Sequence, residues 1–133
     1  VYIHNYQKES SDHLSLYNKI DLALDTFPYN GVTTTFESVL MGVPVLTLKG
    51  FNFNSRCGES INKNLNLQNF IAENYDDYYL KALDFYKNRV QLKELRKTLR
   101  DKAISSPLFD NKNFTSIFSE KIKVLWENFL KTN

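Results

Sequence analysis

Cysteine is almost absent: Cys57 is the single one in 133 residues. That excludes an intrachain disulfide and makes a reducing, cytoplasmic setting the simplest expectation. Histidine is nearly as scarce. His4 and His13 stand alone among non-ligands, so no metal-ligand spacing is present. No His/Asp arrangement accompanies Cys57, which argues for a small core residue rather than a nucleophile. No apolar run approaches the roughly 20 residues of a membrane span, and no signal peptide is visible. An excess of one charge is lacking too. The 17 Lys and Arg are interspersed with 15 Asp and Glu, and a net +2 gives no argument for nucleic acid or a membrane surface. There is no internal repeat and no low-complexity tract, and the Asn113-Phe114-Thr115 sequon matters only in a secretory pathway.

What remains is an ordinary globular composition, 42% apolar and 24% charged. The length suits one domain able to bury roughly two-thirds of its unfolded surface. The chain opens at Val1 without methionine, directly in the strand-like Val1-Tyr2-Ile3. It therefore reads as part of something longer.

The patterning predicts strands and helices in alternation. Residues 1–4 read as a strand end. Ser10/Ser11-Asp12 offers an N-cap for a short, imperfect stripe of Leu14, Leu16, Tyr17 and Ile20. Asp21-Leu22-Ala23-Leu24-Asp25 reads as a buried strand, closed by the turn cluster Thr26-Phe27-Pro28-Tyr29-Asn30-Gly31. Residues 33–41 turn helical with Phe36, Val39 and Leu40 on one side, and Gly42 and Pro44 end that helix. Val45-Leu46-Thr47-Leu48 is a second strand, residues 55–64 a helix, and Asn69-Phe70-Ile71-Ala72 a third strand. Beyond Ala72 the chain is helical: Asn74 caps one segment, Leu92, Leu95 and Leu99 stripe the next, and Ser105-Ser106-Pro107 breaks the pattern. Aromatic residues at helical spacing over 75–86 read as a packing face. Phe114, Ile117, Phe118, Ile122, Leu125, Trp126 and Phe129 stripe the last helix. The expected fold class is α/β: a partial Rossmann-like, doubly wound parallel sheet (1–72) followed by C-terminal helices (73–133) within one domain of 1–133.

In such a sheet, ligands bind outside the carboxyl ends of the strands. The loop at 27–32 leaves such an end and feeds a helix at Thr33-Thr34-Thr35. A helix N-terminus offers unpaired N–H groups and about half a positive charge, which suits phosphate. Gly31 permits close backbone approach, the threonine hydroxyls can donate to phosphate oxygens, and Glu37 one turn on can accept from a ribose diol. Three threonines also serve as an ordinary helix start, and Glu37 also complements the helix dipole. Arg56 can reach a ligand or pair with a nearby carboxylate.

Residues 25–38, Asp25-Thr26-Phe27-Pro28-Tyr29-Asn30-Gly31-Val32-Thr33-Thr34-Thr35-Phe36-Glu37-Ser38, with Met41-Gly42-Val43-Pro44-Val45, resemble the donor-binding signature of one family. That family holds the O-linked N-acetylglucosamine transferases and the Spindly-type protein O-fucosyltransferases, enzymes of the two-domain GT-B architecture. Ser55-Arg56, Leu99-Arg100-Asp101, Ser106-Pro107 and the Trp126 helix extend the resemblance over nearly the whole chain. It implies that Thr33 and Thr34 hold a diphosphate, that Glu37 takes the ribose and that His13 lies against the base. Val32 stands in the site where the animal enzymes carry histidine, so that contact is lost. A family lysine falls at Ser10, with Lys8 the nearest replacement.

The resemblance implies the C-terminal, donor-binding portion of a protein O-glycosyltransferase. The donor would be a UDP- or GDP-sugar, the product N-acetylglucosamine or fucose on a Ser or Thr, with no metal or other cofactor. The catalytic residues are unknown, the general base is expected outside this chain, and the isolated chain is expected to bind nucleotide weakly and turn over nothing. Expected partners are the nucleotide-diphospho-sugar, a protein acceptor and an N-terminal catalytic lobe, itself usually preceded by tetratricopeptide repeats. The last helix would serve as local core, as contact to that lobe, or for self-association. Two alternatives stay open: another GT-B glycosyltransferase or epimerase, and a non-catalytic interaction module.

Overall fold

The computed structural model describes residues 10–132, with side chains from Asp12 onward. The strand expected at 1–4, Lys8 and the capping side chains of Ser10 and Ser11 lie outside the described residues. The chain begins with α1 (Ser10–Ser15), which tightens into a 3₁₀ turn over Leu16–Lys19. Next come β1 (Ala23–Leu24), α2 (Thr33–Leu40), β2 (Val45–Leu48) and α3 (Cys57–Asn64). A 3₁₀ turn (Gln68–Phe70) leads to β3 (Ile71–Ala72), and α4 (Tyr75–Lys87) and α5 (Arg89–Ile104) follow. A last 3₁₀ turn (Pro107–Phe109) precedes α6 (Asn111–Thr132).

The three strands pair in parallel in the order β1-β2-β3, with Ala23 opposite Val45 and Thr47 opposite Ile71. All four residues of β2 are buried. Successive strand residues point to opposite faces, so the central strand is covered on both sides, as a parallel sheet requires. Two strand expectations need correction. The strand at 21–25 is not buried along its length, because β1 is an edge strand among the described residues and Leu24 is 59% exposed. The third strand is shorter than expected. Asn66 takes a positive φ of 53° and the Leu67 amide returns to the Asn62 carbonyl, so residues 68–70 coil into a turn before pairing begins.

Val39, Leu46, Ile61, Leu65, Phe70, Phe85, Leu92 and Leu99 form the core, with the Phe70 and Phe85 rings stacked at 4.3 Å. Each fully buried leucine contributes about 2–3 kcal/mol. The end of α2 is built as the sequence predicts. Gly42 sits at a φ of +77°, where a side chain is strained, and a Cβ there would stand 2.9 Å from the Arg96 carbonyl of α5. Pro44 follows and β2 begins. Helix α5 also ties down the N-terminal segment: the Arg96 guanidinium donates to the carbonyls of Ile20 and Tyr17. Arg100 donates to the last carbonyl of α2, Leu40, at 2.7 Å. Together these bonds hold the 3₁₀ turn at 16–19 and the end of α2 against α5.

Asn74 caps α4 as expected, its side chain accepting the Asp77 amide at 2.9 Å. The aromatic stretch at 75–86 is only partly a packing face. Phe85 is buried and Tyr78 half-buried, whereas Tyr75, Tyr79 and Tyr86 point to solvent. Cys57 is likewise only half-buried, its thiol on the Phe53 carbonyl at 3.3 Å, because α3 starts at the surface above a loop. The local-core expectation for the last helix fails. No residue of α6 is buried, and Phe114, Ile117, Phe118, Leu125 and Trp126 are each at least 50% exposed. No helix among the described residues is long and apolar enough to cross a membrane.

Candidate functional site

Helix α2 starts at the carboxyl end of β1, and most of the expected site residues gather there. Val32 occupies the N-cap position and its side chain makes no capping bond. The three threonines then divide by burial. Thr35 is buried and its hydroxyl turns back to the Gly31 carbonyl at 2.9 Å. Thr33 and Thr34 are exposed, and their hydroxyls donate to no partner among the described residues. The tip therefore presents two free hydroxyls beside the unpaired N–H groups of a first helical turn. Gly31 lies close under both hydroxyls: a Cβ there would stand 2.5 Å from the Thr34 hydroxyl, which would have to turn away, and 3.0 Å from the Thr35 hydroxyl.

One turn along α2, Glu37 is half-buried and faces α1. Its Oε2 lies 3.2 Å from His13 Nε2 and 3.5 Å from the Tyr17 hydroxyl. The Tyr17 ring packs edge-on against His13, and its hydroxyl reaches the Thr34 carbonyl at 3.4 Å. Burial, and then the Glu37 carboxylate, push the Tyr17 phenol above its usual range. His13, Tyr17, Thr34 and Glu37 thus form one wall. Tyr17 was legible in the sequence only as part of a helical stripe.

Asp25 is a second site residue that the sequence does not single out. It directly follows β1, and its Oδ1 accepts the N–H groups of Gly31 at 2.8 Å and Thr26 at 3.0 Å. Its Oδ2 accepts the Thr47 hydroxyl at 2.8 Å. Burial pushes the Asp25 carboxyl up, and these three hydrogen bonds oppose that rise. Fully buried Asn30 closes the same loop. Its Nδ2 donates to the Thr26 carbonyl at 2.9 Å, and its Oδ1 accepts the Gly58 amide of α3 at 3.3 Å. The signal for both was available: an acid at the end of an apolar run and an asparagine inside a turn cluster. The Phe27–Pro28 peptide within this loop is cis.

A small cavity of about 180 Å³ opens between β1, the loop and α2, with Tyr17, Asp25, Gly31 and Thr34 in its walls. A larger recess of about 680 Å³ lies beyond Val32, walled by Phe36, Phe51, Phe53 and Leu108, with Arg56 and Lys63 at one side. Val32 and Arg56 therefore share a recess distinct from the His13–Glu37 wall. Arg56 also forms the ion pair weighed for it in the sequence. Its Nε and Nη2 donate to Glu59 at 2.7 and 3.3 Å, and Lys63 adds a third bond at 2.7 Å. Among the described residues, no group of three or more His, Cys, Asp or Glu side chains is placed so as to hold a metal ion.

Glu59 is 3% exposed, and the Arg56 hydrogen bonds hold its carboxyl down to about 2 against the opposing effect of burial. Folding thus lowers this pKa, so the stability it contributes is complete above about pH 4.5 and is lost as the pH falls toward about 2. The melting temperature should accordingly drop less steeply between about pH 5 and 2.5 in Glu59→Gln than in the native chain. Parallel curves for the two proteins would refute this account.

The sequence profile of glycosyl transferase family 41 matches residues 5–118. The chain belongs to glycosyl transferase family 41. The SPINDLY protein of Hordeum vulgare, named a probable UDP-N-acetylglucosamine–peptide N-acetylglucosaminyltransferase, is 38% identical over 118 residues. That alignment takes in 89% of this chain and 12% of the relative. The SEC protein of Arabidopsis thaliana, with the same activity in its name, is 28% identical over 87% of this chain and 12% of its own length. Among solved structures, a lysine-to-methionine mutant of the Thermobaculum terrenum O-GlcNAc transferase superposes with a TM-score of 0.85 at 34% identity. It covers 93% of this family 41 chain, which spans 24% of that one. The chain spans about an eighth of the length of the curated relatives it matches. The expected fold class, an α/β unit on a parallel sheet followed by helices, stands for this family 41 member.

Proposed function

We propose that this chain is the nucleotide-sugar-binding portion of a protein O-glycosyltransferase. The observation that carries the reading is the start of α2, where Thr33 and Thr34 are exposed with free hydroxyls while Glu37, His13 and Tyr17 stand one turn away. Helix-tip amides and the two hydroxyls receive the diphosphate. Glu37 accepts from the ribose diol, and His13 and Tyr17 flank the base. In the complete enzyme, a Ser or Thr oxygen of a target protein bonds to the anomeric carbon. The bond from that carbon to the diphosphate oxygen breaks, and the electron pair leaves with the nucleoside diphosphate. The acceptor proton passes to a base supplied from outside this chain. The contribution here is preorganised stabilisation of the leaving charge, with no metal assigned a part in it.

Relatives named as UDP-N-acetylglucosamine transferases support a UDP-sugar donor. The wording Asp25-Thr26-Phe27-Pro28-Tyr29, shared in resemblance with the Spindly branch, supports fucose from a GDP-sugar as the second possibility. The exposed apolar face of α6 supports a protein contact, for which we propose the enzyme's other lobe, with pairing of two copies as the alternative. A cytoplasmic setting and upstream tetratricopeptide repeats belong to the same proposal. Calorimetric titration of the chain with UDP, GDP, UDP-N-acetylglucosamine and GDP-fucose tests the reading. Saturable binding of at least one nucleotide is expected, and a base preference names the donor. A folded sample that binds none of the four would overturn it and leave an interaction module.

A further inference from the structure

We propose that Asp25 is a positioning residue for this nucleotide site: its carboxylate fixes where the loop at 26–31 ends, and so how the first turn of α2 meets a diphosphate. The inference rests on the functional reading above and goes beyond it, because Asp25 touches no proposed ligand atom.

Its bonds run to β2, to α4 and to both ends of the loop. The Asp25 amide donates to the Leu46 carbonyl of β2 at 2.9 Å, and its carbonyl accepts the Tyr78 hydroxyl of α4 at 3.1 Å. One carboxylate oxygen holds the two ends of the loop, the Thr26 and Gly31 amides, and the other holds Thr47 on β2. Helix α3 approaches so closely that a Cβ on Gly58 would stand 2.7 Å from Oδ2 and would also collide with the Thr47 hydroxyl. The carboxylate is therefore confined from the sheet side, the loop side and the α3 side.

An unshielded carboxylate this close to the helix tip would repel a diphosphate. Asp25 instead directs both oxygens at donors. By occupying the Gly31 amide it removes that donor from the tip, which leaves the amides and hydroxyls of Thr33 and Thr34 as the ones an anion meets. The role is geometric, so what matters is an acceptor oxygen in that place rather than the charge.

Two variants and two readouts test this. In Asp25→Ala the Gly31 amide should exchange with deuterium at least about tenfold faster while Leu46 and Leu48 amides keep their protection, and UDP or GDP affinity should fall about tenfold. Asp25→Asn keeps an acceptor oxygen for Gly31 and should restore affinity to within about threefold of the native chain. An Asp25→Ala chain that binds nucleotide as tightly as the native one, or an Asn variant as weak as the Ala variant, would overturn the proposal. Should Asp25→Ala fail to fold, Thr47→Val removes only the donor to Oδ2. It should weaken binding about threefold, and unchanged affinity there also overturns the proposal. A native chain that binds no nucleotide defeats the functional reading instead, while Gly31 exchange still judges the placement of the loop.

Discussion

Replacing Thr33 and Thr34 together by alanine should weaken nucleoside-diphosphate binding at least tenfold and leave the melting temperature within about 2 °C. A hydrogen bond to a charged phosphate oxygen is worth about 1.5–3 kcal/mol, so one lost hydroxyl already accounts for the tenfold change. The fold loses nothing of comparable size. Both side chains are exposed and unbonded, neither is the N-cap, and alanine is a better helix former by a few tenths of a kcal/mol. Thr35→Ala is the contrasting control. Its hydroxyl is buried and bonds the Gly31 carbonyl at 2.9 Å, so its loss should lower stability first. Isothermal titration beside thermal denaturation separates the two. If the Thr33/Thr34 double variant binds nucleotide as the native chain does, the helix tip is not the diphosphate site.

That division of labour among three identical residues shows what the sequence could and could not convey. The run Thr33-Thr34-Thr35 marks a helix start after a turn cluster, and the helix begins there. Which hydroxyl faces solvent depends on the approach of Gly31 and Asp25, and only the folded loop reveals that. The same limit explains the other misreadings. Leu24 and Ile71 look alike in the sequence, but Leu24 sits on an edge strand and stays 59% exposed while Ile71 is buried. Phe70 reads as a strand residue by composition, yet it turns in a 3₁₀ coil so that its ring can stack on Phe85 from α4. Periodicity identified the apolar stripe of α6 but is silent on what covers it. Asp25 and Asn30 carry no periodic signal at all, because their partners are backbone groups brought near by the turn.

The largest loss of stability from a single polar residue should come from Asn62→Ala. Asparagine is a poor helix former, yet this one lies at 0% exposure inside α3. The sheet explains it. The carbonyls of Pro44 and Leu46 face β1 and accept the amides of Ala23 and Asp25. The Val45 carbonyl between them therefore faces the β3 side, where the ladder begins only at Thr47 opposite Ile71. Asn62 Nδ2 fills that gap, donating to the Val45 carbonyl at 2.9 Å and to the Phe70 carbonyl at 3.2 Å. Alanine leaves two buried acceptors unpaired, at about 1–3 kcal/mol each, and opens a small void besides. A loss of about 3–5 kcal/mol follows, or a melting temperature lowered by roughly 10–15 °C. Asn62→Leu keeps most of the volume and removes the donor, so the difference between the two variants isolates packing from hydrogen bonding. Leucine also removes the Asn62 Oδ1, a buried acceptor that has no partner of its own. It should therefore recover part of the loss but not all of it. A leucine variant as stable as the native chain would mean that the bridge across the start of the β2–β3 ladder contributes nothing, and that Asn62 is held there by shape alone.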